Sequence, residues 1–155
     1  MNCNIIPISA SLVLIACMAM VTMVLAHEGA TGIVKERMDS MKSMGDASKA
    51  IVDMLKGKTA YSSGALVEYA TTINQHSKNI PDHYPSGSLQ DVSEALPVIW
   101  ERWDEFEQLA KQLESSSAAL IDTAQNKDRK AVRAQFAKVA KSCKGCHEDY
   151  RMKQD

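Results

Sequence analysis

The feature that most constrains the fold is a spacing: apolar and small residues recur at alternating steps of four and three along most of the chain. Between residues 33 and 57 it picks out Val34, Met38, Met41, Gly45, Ser48, Val52 and Leu55. At 3.6 residues per turn these share one face of a helix about 37 Å long, and Gly57 supplies its stop. A second helix is expected from Ser63 to about Lys78, with Leu66, Tyr69, Ala70 and Ile73 inward. Residues 79 to 97 contain Pro81, Pro85, Gly87 and Pro97 and read as a long connection. The third helix is expected to start at Pro97, which suits a first helical turn, with a stripe of Ile99, Trp103, Phe106, Ala110, Leu113 and Leu120. The fourth runs from about Asp128 to Met152 through Val132, Phe136, Val139, Cys143, Cys146 and Tyr150. No segment reads as a strand. Four helices, a heptad-like stripe and one long connection make an all-α, antiparallel four-helix bundle the expected fold.

The fourth stripe carries chemistry in Cys143-Lys144-Gly145-Cys146-His147. On a helix Cys146 lies about 60° from Cys143 on the wheel and His147 about 40° from it on the other side, so all three project from one face. Two thiols one turn apart can each add to a vinyl group along one edge of a porphyrin, and the adjacent imidazole can reach the iron. That is why this spacing reads as c-type haem attachment. One covalent haem c is therefore the expected cofactor, held by Cys143, Cys146 and His147. A structural zinc site wants four ligands, and no second cysteine pair or close histidine pair completes one. His27, His76 and His83 are scattered and read as surface residues. A thioredoxin-like redox pair belongs in a βαβ setting, which is missing. No Ser/His/Asp set, Cys/His nucleophile or phosphate loop is visible, so the chain does not read as an enzyme. A second axial ligand is usually His or Met. Met41 sits mid-stripe on the first helix, with Gly45 one turn later leaving room for a flat ring. A Met at helical spacing also serves as core filler, and both readings stand.

The first 26 residues contain no Lys, Arg, Asp or Glu and end in Val24-Leu25-Ala26 before turning polar at His27-Glu28-Gly29. This is the shape of a cleaved secretory signal, although the usual basic residue ahead of the apolar run is missing. A retained anchor is the alternative; a lipoprotein box at Leu14-Ile15-Ala16-Cys17 is weak, because the chain stays apolar beyond it. The expected organisation is a signal peptide over 1–26 and one domain over 27–155, exported to the periplasm. Cys3 and Cys17 leave with the signal, so no disulfide scaffold is expected. The net charge of −1 indicates neither nucleic acid nor an anionic membrane as partner. Residues 127 to 153 nevertheless hold nine basic side chains against three acidic, and residues 94 to 114 six acidic against two basic. The basic segment could steer an acidic redox partner; equally, it could neutralise haem propionates and the acidic helix beside it.

Several segments together resemble the class II c-type cytochromes, which include cytochrome c′ and its low-spin relatives. They are the ending from Cys143 to Arg151, the first-helix run Arg37-Met38-Asp39-Ser40-Met41-Lys42-Ser43-Met44-Gly45, the loop Tyr84-Pro85-Ser86-Gly87-Ser88, and Leu96-Pro97-Val98-Ile99-Trp100. The resemblance covers essentially all of residues 27–155. It implies a bundle that is usually a homodimer, Cys143 and Cys146 as thioether residues, and His147 as the proximal iron ligand. It also implies that Met41 faces the iron distally, as the sixth ligand in low-spin members or unbonded as in cytochrome c′. Arg37 would lie within reach of a propionate, and Trp100 could flank the ring. The expected function is periplasmic one-electron transfer through iron held by His147 and Met41. The alternative is a five-coordinate iron that binds nitric oxide or carbon monoxide. Copper handling through a new N-terminal His27 is a distant third.

Overall fold

The computed structural model describes residues 29–126 and 128–153, so the expected signal peptide and His27 lie outside the described residues. Helices α1 (Gly32–Leu55), α2 (Ser63–Lys78), α3 (Val98–Glu101), α4 (Trp103–Gln125) and α5 (Arg129–Tyr150) follow one another, with a 3₁₀ turn at Pro81–His83. The four long helices form a bundle in which α1 packs on α2, α2 on α4 and α4 on α5. Short connections between α1 and α2 and between α4 and α5 make those pairs antiparallel neighbours. The seam between α1 and α5 is the one that closes least. Among the described residues no helix is long and apolar enough to cross a membrane.

The helix ends follow local chemistry. Gly57 adopts φ 76° after α1, and its N–H reaches back to the Met54 carbonyl at 3.1 Å, a left-handed stop that only glycine takes without strain. The Ser62 hydroxyl accepts from Ala65 N at the start of α2. The Asp128 carboxylate accepts from the Lys130 and Ala131 N–H groups at the start of α5. Each such cap contributes about 1 kcal/mol. Arg129 and Arg133 of α5 donate to the Met54 and Leu55 carbonyls, at 3.2 and 2.6 Å. They place cations on the C-terminal end of the α1 dipole and tie the ends of the two helices together.

The core runs the length of the bundle: Ile51, Leu66, Ile73, Phe106, Leu120, Val132 and Val139 are fully buried, each worth about 1.5–3 kcal/mol relative to exposure. The expected stripes of α2, α4 and α5 face this core, with Tyr69, Trp103, Phe136, Cys143 and Cys146 only half-buried at its edge. For α1 the expectation needs correcting. The buried series is Val34, Arg37, Ser40, Met44, Ala47, Ile51, Met54 and Leu55: the two ends of the expected stripe, Val34 and Leu55, are buried, but between them the buried positions fall one residue earlier, a turn of about 100°. Both faces of α1 carry small or apolar residues. The one bearing Met44, Ala47 and Ile51 packs into the core, while Met38, Met41 and Gly45 turn toward a cavity at the α1–α5 seam.

The third helix is also not continuous. α3 makes one turn after Pro97, Arg102 leaves helical geometry (φ −122°, ψ 45°), and α4 begins at Trp103. The break turns the Arg102 guanidinium onto the Tyr150 ring of α5, 5.5 Å from its centroid. Among the described residues one isolated antiparallel bridge, Ala95 to Arg151, pins the end of the long connection to the residue after α5.

Candidate cofactor site

The α1–α5 seam holds a cavity of about 420 Å³, within the range that encloses most of a small ligand. α1 contributes Arg37, Met38, Met41, Lys42 and Gly45; α5 contributes Cys146, His147 and Tyr150; the long connection adds Tyr84 and Val92 to Ala95. Met41 and His147 therefore face one space from opposite helices. Cys143 does not line it but packs half-buried against the core one turn before Cys146, and both thiols are free. Beneath the cavity Phe106 meets the Tyr84 ring edge-on at 4.9 Å and the Tyr150 ring at 5.4 Å, an arrangement aromatic pairs favour.

Desolvation shifts all three motif groups, although His147 itself is exposed. Desolvation pushes the Cys146 thiol up to about 11, helped by Cys143 and Asp149, and raises Cys143 as well. Both are therefore protonated thiols at neutral pH, not reactive thiolates. The His147 imidazole is shifted down, first by desolvation and then by the Arg151 charge, with Glu94 opposing. It is held neutral, the form that binds a metal. The buried Tyr150 hydroxyl has no hydrogen-bond partner within the described residues.

Arg37 is not an ordinary helix-surface charge. It is 3% exposed, and its Nε donates to the His83 carbonyl at 3.1 Å. Its Nη2 donates to the Ser88 carbonyl at 3.0 Å and the Ser88 hydroxyl at 2.6 Å. Nη1 reaches the Ser93 hydroxyl at 3.5 Å, and the guanidinium lies 4.1 Å over the Tyr84 ring. Arg37 thus latches the long connection onto α1, and only Nη1 has donor capacity to spare for a cavity ligand. Desolvation lowers its pKa, yet a guanidinium remains charged.

Trp100 is not among the cavity residues: its indole N–H donates to the Tyr84 carbonyl at 2.9 Å and its ring packs against the core. His76, expected at the surface, is half-buried and meets the Ser40 hydroxyl at 3.0 Å. Sequence reasoning missed Tyr84, Val92, Ser93 and Glu94, which come from a connection without periodicity. It also missed the second thioether facing the cavity, Met38, whose place three residues before Met41 on a helix was the signal available.

These walls suit a haem. The Cys146 thiol in the wall with Cys143 one turn before it, an imidazole, apolar and aromatic surfaces, a buried unmet hydroxyl donor and the cations Arg37, Lys42 and Arg151 match a flat apolar ring bearing two vinyl groups and two carboxylates.

A family model described as Cytochrome C′ matches residues 32–151. The chain is 33% identical to cytochrome c-556 of Agrobacterium tumefaciens over 122 residues, 79% of this chain and 98% of the relative. The structure of cytochrome c′ from Rhodopseudomonas palustris matches with a TM-score of 0.74 and 32% identity, covering 81% of this chain and 100% of that one. A nitric oxide complex of a point mutant of cytochrome c′ from Alcaligenes xylosoxidans matches with a TM-score of 0.71 and 25% identity, over 78% and 94% of the two chains.

Proposed function

This chain belongs to the cytochrome c′ family, and from that premise we propose that it is a gas-binding haem protein, taking nitric oxide or carbon monoxide on an open distal face. It carries one covalent haem c. In this reading Cys143 and Cys146 hold the ring, His147 takes the proximal position, and Met41 lines the distal side without bonding. The haem supplies an iron that can exchange one electron and bind a diatomic ligand; the rest is done by side chains. Cys143 and Cys146 are the thiols that would hold such a ring: addition of an S–H across a vinyl group would leave the proton on carbon and need no leaving group. Partial desolvation and the Arg151 charge favour the neutral His147 imidazole, with a lone pair free for metal. Ile99 and Phe106, both buried, give the cavity an apolar wall, and the remaining Arg37 N–H is the donor offered to a propionate.

The observation that carries the open-face reading is the match of residues 32–151 to the Cytochrome C′ family model, with Met41 and Gly45 in the wall of a cavity that has room for the ring. The nitric oxide complex of the Alcaligenes relative supports the same reading. The test is to titrate ferrous protein with carbon monoxide and nitric oxide and compare it with Met41→Ala. Fast binding to both proteins at similar rates is expected. Binding by the parent that is much slower than by Met41→Ala, limited by loss of a ligand, would overturn it.

A second reading follows from Met41 itself, a soft ligand in the same cavity as His147, and from the similarity to a cytochrome c-556. Here Met41 is the sixth ligand, the ferrous state is favoured, and the protein is an electron carrier with an acidic redox partner. Met38→Ala is the control for it, since Met38 shares the cavity. Both readings include a homodimer, as the family resemblance implies, and export to the periplasm after loss of residues 1–26, as the uncharged apolar run suggests.

A further inference from the structure

Glu94 is the one carboxylate among the described residues lining the cavity, and it does not stand alone. Its Oε2 accepts from Arg151 Nε at 2.6 Å. The backbone repeats the contact on both sides: Met152 N donates to the Glu94 carbonyl at 2.8 Å, Leu96 N donates to the Tyr150 carbonyl at 3.0 Å, and Ala95 bridges to Arg151. The ladder holds the two backbones together at the cavity edge, where the half-exposed side chains meet. Arg151 lies one helical turn beyond His147, and both charged groups line the same cavity as that imidazole. His147 also feels both, Arg151 disfavouring its protonation and Glu94 favouring it.

We propose that Glu94 and Arg151 are positioning residues whose clamped charge pair sets how readily the haem iron is reduced. The proposal rests on His147 as the proximal ligand. Ferric haem carries one more positive charge than ferrous haem. A carboxylate in the cavity wall therefore favours the ferric state and a guanidinium the ferrous state; clamped together, they oppose each other. Removing either one unmasks a shift of defined sign.

The test is spectroelectrochemical titration of the haem-loaded protein and of Glu94→Gln and Arg151→Gln. Glu94→Gln should raise the ferrous-to-ferric ratio at a fixed applied potential and Arg151→Gln should lower it, each by roughly three- to tenfold. For unit charges on the order of 10 Å apart, that lies between the roughly twofold expected at the dielectric of water and the roughly seventeenfold expected at an effective dielectric of about 20, as suits a half-exposed pair; tenfold corresponds to about 59 mV for one electron. Arg151→Lys keeps the charge and should restore the ratio to within about twofold of the parent. A purely structural clamp would move both glutamine variants the same way. That result, or changes below twofold in either, overturns the proposal, as does failure of the Lys variant to restore the ratio. His147→Gly separates this from the reading beneath it. If His147 is the ligand, that variant changes the haem spectrum whether or not the pair tunes the iron; an unchanged spectrum removes the premise itself.

Discussion

Arg37→Ala should be among the most destabilising single changes available on α1, although a helix-surface arginine ordinarily costs within about 0.5 kcal/mol. The substitution removes the donor for two backbone carbonyls, His83 and Ser88, at 3.1 and 3.0 Å, and for the Ser88 hydroxyl. Hydrogen bonds from a charged donor contribute about 1.5–3 kcal/mol each, and the orphaned carbonyls retain their desolvation cost unless water reaches them. Loss of the stacking over Tyr84 at 4.1 Å adds about 0.5–2 kcal/mol. Water will enter the gap left by the side chain, so the net expectation is about 3–5 kcal/mol, a large share of a typical domain's stability. Arg37→Lys keeps the charge but not the planar fork and should lose about half as much. Guanidinium unfolding of the holoprotein, followed by far-UV circular dichroism, reads this as a lower midpoint at unchanged slope. Hydrogen exchange should locate the loss of protection in residues 83–93. A midpoint for Arg37→Ala corresponding to less than about 1 kcal/mol would refute the latch.

The other predictions are shorter. Replacing Cys143 and Cys146 with Ser should let acid–acetone extract the haem that the parent retains, and haem lost from the parent itself would contradict thioether attachment. Ile51→Ala should cost about 2–5 kcal/mol, while Val52→Ala, half-buried beside it, should cost clearly less; equal losses in thermal unfolding would mean that α1 is turned the other way. Intact mass of the exported protein should correspond to His27 through Asp155 plus one haem, and retention of residues 1–26 would make it membrane-anchored.

The spacing of apolar residues carries element number and type here because each long helix buries one continuous stripe. α2 and α5 match expectation within a residue or two. The same rule misplaces the buried face of α1. Met38, Met41 and Gly45 are as apolar or small as Met44, Ala47 and Ile51, and hydrophobicity cannot tell a face that meets protein from one that meets a cofactor. Arg37 is misleading for a related reason. Charge suggests exposure, but its partners are carbonyls of an aperiodic connection 46 to 51 residues away. The break at Arg102 leaves no mark in the pattern, since Ile99, Phe106 and Ala110 stay in register across it. The motif residues were legible because their spacing is local. Glu94 and Tyr84, which reach the cavity through the connection, were not.

The most direct test is the spin state of the ferric holoprotein, read by electron paramagnetic resonance together with its visible spectrum. An open distal face, with Met41 lining the cavity but unbonded, predicts a high-spin signal and no sulfur-to-iron band at the red end of the spectrum. A low-spin signal with that band, lost in Met41→Ala and kept in Met38→Ala, would contradict it and make the protein an electron carrier.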